Sequence, residues 1–471
     1  MAYPYNNRPT YNTRPNYSFG GGYYGYDNRN GGGGDDGKKR KLWIIILCAV
    51  LAVAIIAGGI VTAIVIHNKN NGGDGGTETP ENPIIEPAVF GYELTDGGTG
   101  YEVAGIEKAS TDGTYIVPSE VNGLPVTGIK AAAFQNNTNI KKLVLPDSIT
   151  SLPAGALGGC IALVELSLPF VGKSRESATL DGFENAEACL FYLFGENAAA
   201  IPQSLKTLRV NHDVASFALY GGGLGVVISD HGPNYGKYIG GKSDLSIDNL
   251  IFGENVRWIS IYAFADIKIK HIEFGETGEA LAIDRYAFAY TKGIDSLTIS
   301  ARIFNIGASA FLEAPIKTLS FSEGERDLVI GGYAFSDIAI TSVHFPDRLN
   351  ALGSYVFYNA AELKTVTFGA DSLLESVGAY VFFGCDNLVE LTITSKDIKS
   401  ISIHAFKNNP KEEANVLTRL SFTKYTFEEA KAKWTWEEED RIIDENNVES
   451  YVHYTADDFA AAYAGVVHWK N

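Results

Sequence analysis

The chain has 471 residues, of which 45% are hydrophobic, 20% charged and 12% aromatic; that is enough for one large core or several small ones and excludes wholesale disorder. Fifty glycines, one methionine and 25 each of Tyr and Phe point to a turn-rich, β-rich chain rather than a helical bundle. A net charge of −18 from 38 basic and 56 acidic side chains argues against nucleic acid as a partner. Four cysteines are too few for a disulfide scaffold in a chain of this length.

Residues 1–41 contain no Leu, Ile or Val, so they cannot bury enough apolar surface to offset chain entropy and are expected to form a disordered Tyr/Gly/Asn-rich tail. Residues 42–66 carry no charged side chain over 25 positions. As a helix they would extend roughly 37 Å against a hydrocarbon core of about 30 Å, which predicts an uncleaved signal-anchor in contact with the lipid bilayer. Lys38-Lys39-Arg40-Lys41 abuts the start of this run, whereas its far end offers only His67 and Lys69. Basic flanks stay inside, so the expectation is a single-pass protein of the cell membrane with a cytoplasmic amino-terminus and an extracellular remainder. Residues 67–87, rich in Asn and Gly, read as a flexible linker.

Beyond the linker a repeat dominates. A small or β-branched residue followed by Phe recurs at Phe134, Phe264, Phe288, Phe311, Phe335, Phe357, Phe382 and Phe406, with Leu157 as a variant; from Phe264 onward the steps are 24, 23, 24, 22, 25 and 24. A short alternating strand follows most of these, centred on Leu143, Leu166, Leu208, Leu250, Ile272, Leu297, Leu319, Val343, Val366 and Leu391. A second apolar pair ending in Gly, as in Leu349-x-x-Leu352-Gly353 and Leu374-x-x-Val377-Gly378, precedes several of the Phe residues. One coil cannot cover its own apolar side, so coils must stack and share a core. The predicted fold is a β-rich solenoid over 88–423 with parallel strands, one coil per 22–25 residues and a buried column of Phe rings.

The coil resembles the BspA-type leucine-rich repeat of bacterial surface proteins. Residues 90–134, from FGYELTDGGTGYEVAGIEKAS to GIKAAAF, resemble that family's leading segment, which gives an opening cap over 88–128. The stretch 168–210 resembles an insertion that the family places between coils. The likeness runs over roughly 90–423 and weakens at 211–249; an atypical inserted segment is expected around 170–249. Members of the family are linked to adhesion or ligand binding rather than catalysis, which is what the resemblance implies here. Past 423 the period is lost. Thr426-Phe427-Glu428-Glu429 reads as a capping box that opens a helix with Phe427, Ala430 and Trp434 on one side. Thr455 begins a second, with Phe459, Ala462 and Tyr463 inward and Gly465 as its stop. Residues 424–471 are therefore expected to cap the solenoid, and a separate small domain is the alternative.

Catalytic chemistry finds little support. Gly236 to Ser243 fits G-x-x-x-x-G-K-S, the phosphate-cradling loop, but the segment neither leaves a strand directly nor opens a helical pattern. The histidines form no H-E-x-x-H pair, there is no G-x-S-x-G elbow, and Glu437, Glu438, Glu439 and Asp440 lack ligand spacing. Catalytic, metal and cofactor residues are accordingly all predicted to be none. Cys160 and Cys385, each three residues after the coil's Leu157 or Phe382, read as small buried side chains. A surface remains. Residues flanking the inward apolar pair of a strand face outward, so five coils present Ser296 and Thr298, Thr318 and Ser320, Ser342 and His344, Thr365 and Thr367, and Glu390 and Thr392 as one hydroxyl-bearing row. The expectation is a non-enzymatic binding module for an extracellular protein or glycan, with a structural scaffold or spacer as the alternative and a P-loop enzyme last.

Overall fold

A computed structural model describes residues 86–178, 187, 189–195, 200–212, 226–228, 238–240, 245–408, 416–435, 439–443 and 449–470. They belong to the compact unit Pro83–Asn471. The tail at 1–41, the run at 42–66 and nearly all of the linker at 67–87 lie outside the described residues.

The predicted transmembrane helix, and with it the single-pass membrane localisation, is corrected: no helix is long and apolar enough to cross a membrane among the described residues. The reason is length and polarity. The longest described helices, Phe427–Lys433 and Ala456–Ala462, have seven residues each and carry charged side chains; each spans about 10 Å, a third of a bilayer core.

The rest is a β-solenoid of about 11 turns with parallel strands. It opens with a four-stranded sheet in which Val89–Leu94 pairs antiparallel with Tyr101–Lys108. A front sheet then builds coil by coil from Thr114–Ile116, Lys142–Val144, Glu165–Leu168, Thr207–Val210, Ser246–Phe252 and Lys268–Glu273, all in parallel. Leu166, Leu208 and Leu250 are direct neighbours in register, so the sheet passes directly from Thr207–Val210 to Ser246–Phe252, and the residues between these two strands lie largely outside those described. Within them, Val226–Ile228 and Tyr238–Gly240 form an antiparallel pair of their own.

A second sheet of seven parallel strands runs from Trp258–Ile259 to Ser400–Ile401. Its inward residues include Ile283, Ile306, Ile330, Leu352 and Val377, each at most 2% exposed. The glycine that follows explains the I-x-x-I-G motif. A Cβ on Gly307, Gly331, Gly353 or Gly378 would come within 2.5–2.7 Å of backbone nitrogen in the preceding coil, a distance that real Cβ atoms do not adopt. Successive backbones approach so closely here that only glycine fits.

The third side consists of loops, and it carries the Phe column. Phe264, Phe288, Phe311, Phe335, Phe357 and Phe382 are at most 1% exposed and stack with centroids 5.1–5.9 Å apart and interplanar angles of 4–14°. Each loop donates from its Phe region to a carbonyl one coil further on, for example Phe264 N to Ala287 O at 2.7 Å and Phe311 N to Ala334 O at 2.9 Å. Two left-handed residues bracket each of these rings, as with Tyr333 (φ 56°) and Asp337 (φ 59°) around Phe335. That conformation costs about 1 kcal/mol or more per residue; the inter-coil hydrogen bonds it makes possible offset the strain.

At the end of the chain, Val467–Trp469 adds in parallel to Arg419–Phe422. Both short helices form with complete capping boxes, at Thr426/Glu429 and Thr455/Asp458. Ala430, Trp434, Phe459 and Tyr463 are buried. Ala462, expected inward, is exposed.

Candidate functional site

All ten residues of the expected row are exposed, and the strands that hold them alternate with an inward apolar pair that is buried throughout except at Phe321, which is half-buried. Ser296 pairs with Thr318 and Thr298 with Ser320; Ser342 pairs with Thr365 and His344 with Thr367. The row is partly tied together by its own side chains. Thr298 Oγ1 lies 2.9 Å from Ser320 Oγ, and His344 Nδ1 lies 2.8 Å from Thr367 Oγ1.

The row is not one uninterrupted ladder. Ser296–Ile299 pairs with Thr318–Phe321, Ser342–Phe345 with Thr365–Phe368, and Glu390–Ile393 with Arg419–Phe422 and onward, with no strand pairing between the three groups. The turn that leaves each strand, rather than coil length alone, tracks the breaks, since Glu390 and Arg419 pair although 29 positions apart. Paired strands are 22 and 23 residues apart at Thr298/Ser320 and His344/Thr367, whereas Thr318 to Ser342 is 24 residues and Thr365 to Glu390 is 25. The additional residues fall in the turns that leave Phe321 and Phe368. The inward Leu328 follows Phe321 by seven positions and Leu374 follows Phe368 by six, against four from Ile299 to Ile303 and from Phe345 to Leu349. The second sheet stays continuous through the same coils, so the slack is taken up at the front.

At the second break the surface opens into a cleft of about 430 Å³ lined by Lys364, Thr365, Thr367, Val389, Glu390, Thr392 and Thr394 with Val366 and Phe368. Thr394 Oγ1 donates to Gly369 O at 2.6 Å and fixes one wall. Val389 is 44% exposed, which gives the cleft an apolar contact between a lysine and a glutamate. Four residues of the expected row therefore line one concavity; the other six stand on open strands.

Other candidates fall elsewhere. In the G-x-x-x-x-G-K-S match, Tyr238–Gly240 is a strand and the next described element, Ser246–Phe252, is another strand; among the described residues no helix follows the motif directly, as a phosphate loop requires. Gly241 to Ser243 lie outside the described residues. No group of His, Cys, Asp and Glu with metal-holding geometry occurs among the described residues. Cys160 and Cys385 occupy equivalent places, each thiol donating to the carbonyl of the Phe one coil earlier, Phe134 at 3.1 Å and Phe357 at 3.2 Å. Burial pushes the Cys160 thiol up to about 11 and that of Cys385 higher still, so neither is a thiolate nucleophile.

Two sets of residues went unnoticed in the sequence. Arg302 and Arg348, 3% and 2% exposed, point into the interior. Tyr262, Tyr286, Tyr333, Tyr355 and Tyr380, each two residues before a column Phe, form a second aromatic ladder. The signal for both was their constant phase within the coil.

Parallel coils of 22–25 residues, a continuous apolar core and an exposed strand row define a leucine-rich repeat solenoid. The chain belongs to the BspA type leucine-rich repeat family, whose repeat matches in six copies over residues 124–206, 242–329 and 325–433. Among solved structures it is similar to a leucine-rich repeat protein from Bacteroides ovatus, at 14% identity over 75% of this chain and 99% of that one, with a TM-score of 0.32. A leucine rich cell surface protein from Faecalibacterium prausnitzii shares 16% identity over 73% of this chain and 89% of its own, with a TM-score of 0.25. A T. pallidum leucine-rich repeat protein matches at 16% identity over 64% and 87%, with a TM-score of 0.20. No curated protein matches the chain.

Proposed function

We propose that the repeats act as a non-enzymatic recognition module whose front sheet binds an extended ligand, either a glycan chain or a protein segment. The observation that carries this reading is the cleft between Thr365–Phe368 and Glu390–Ile393, where hydroxyls, one exposed valine and a Lys364/Glu390 pair of opposite charge converge. Hydroxyl-bearing strands offer donors and acceptors at a spacing of about 4.8 Å across the sheet, a repeat that suits an extended polymer lying along the coils. Although the chain is acidic, at −18 overall, Glu390 is the single carboxylate among the ten residues of the row, so neutral polar ligands meet little repulsion there.

The test is a glycan and protein array probed with the full chain and with a variant in which Thr318, Ser320, Ser342, Thr365 and Thr367 are replaced by Lys. All five side chains are exposed, so the fold should be retained. The expected result is at least one ligand held by the parent protein and released by the variant. Identical binding profiles would remove the front sheet as the binding face and leave a spacer role.

A further inference from the structure

The tyrosine ladder lacks one rung. Tyr262 stacks on Tyr286 with centroids 4.8 Å apart, and Tyr333 on Tyr355 and Tyr355 on Tyr380 at 4.8 and 5.2 Å, with planes within 20°. His404 continues the series against Tyr380 at 5.1 Å. In the coil between Tyr286 and Tyr333 the same position is Ser309, which keeps the ladder's left-handed backbone (φ 58°) and its inter-coil bond, Ser309 N to Gly332 O at 2.9 Å. The scaffold of the ladder therefore continues through a position with no ring.

Two coil steps separate the rings of Tyr286 and Tyr333, about 10 Å at the strand spacing. A flat group placed midway would lie about 5 Å from each centroid, as the ladder's own rungs do and within the reach of a cation over an aromatic face. Tyr333, on one side of the gap, is 39% exposed, and Ser309 at its base is 6% exposed. The surroundings are acidic. Glu313 lies in the same turn as Ser309 and Asp337 in the next, both exposed, while the neighbouring Arg285 lies 4.0 Å from Asp284.

We infer that the missing rung at Ser309 is a binding slot for a planar cation, the guanidinium of an arginine on a basic partner segment, held between the faces of Tyr286 and Tyr333. Arginine meets three demands at once: it is flat, it stacks on aromatic faces, and its charge complements an acidic surface. Lysine has the charge without the plane, and phenylalanine the plane without the charge. The slot lies on the loop side and shares no residue with the front-sheet cleft, so its failure would leave the reading above intact.

The experiment titrates the full chain with N-acetyl-arginine amide and with the matching lysine and phenylalanine amides, followed by ligand-detected NMR. Arginine should bind at least about tenfold more tightly than lysine. Ser309→Tyr, which supplies the absent ring, should abolish arginine binding without lowering the melting temperature. Tyr333→Leu, which removes one wall at a partly exposed position, should weaken it about tenfold and guards against a misfolded first variant. Equal arginine and lysine affinity, preference for phenylalanine, or unchanged binding in both variants would overturn the assignment.

Discussion

Arg302 and Arg348 show how much one side chain can do in a stacked fold. The Arg302 guanidinium donates to the carbonyls of Gly253, Glu254, Val256, Phe274 and Glu279 at 2.6–3.3 Å, and Arg348 to those of Ser300, Ile303, Ser322 and Arg326 at 2.7–3.3 Å. Each pins its own coil to the two before it. Burial lowers the pKa of both, but the ordinary value is high enough that they stay charged, and the carbonyl dipoles take the place of a counter-ion. Replacing Arg348 with Met leaves several buried carbonyls without a donor, at about 1–3 kcal/mol each before relaxation. The expected loss is about 3 kcal/mol or more, read by chemical denaturation. Arg348→Lys should recover only part of it, because an ammonium cannot reproduce the planar fork; full recovery by Lys would show that charge alone matters.

At the scale of the element, three ladders hold successive coils together: the front sheet, the second sheet and the hydrogen-bonded loops with their Phe column. The alternation of the strands and the recurrence of Phe were readable in the sequence, because a buried position demands an apolar side chain in every coil. The interruptions of the front sheet were not, since they depend on how a turn of seven rather than four positions after Phe321 alters the next strand. Phe335→Ala, in mid-column and fully buried, should cost about 3–5 kcal/mol. Its effect should be local, with hydrogen exchange accelerated in the coils around 311–357 and little changed near 143–168. A uniform loss of protection along the whole solenoid would contradict nearest-neighbour stacking.

The described unit is a stack of coils whose last rung is covered by a terminal strand, in a chain of net charge −18. The last described strand, Val467–Trp469, covers the edge of Arg419–Phe422, and Trp469 stacks on Phe422 at 4.9 Å. Removing residues 464–471 should expose that edge and a ring that is otherwise 1% accessible. We expect the shortened protein to lose amide protection first at 416–435 and to self-associate through the open edge, whereas the coils at 262–382 keep theirs. Sedimentation together with hydrogen exchange reads both effects; a monomer with intact protection at 416–435 would show that the terminal strand is dispensable.

Periodicity alone determined the class of fold, the strand positions, the Phe column and the outward row, because each reflects a burial requirement that repeats every coil and leaves its mark at fixed spacing. The apolar run at 42–66, on which the single-pass expectation rested, lies outside the described residues, and no helix among those described is long and apolar enough to cross a membrane. Only the tertiary structure decided where the row breaks into a cleft, which carbonyls the two buried arginines collect, and that the tyrosines stack with a gap at Ser309. These features arise between coils, from the distance and angle at which one backbone lies on the next, and residues more than twenty positions apart in the chain define them jointly.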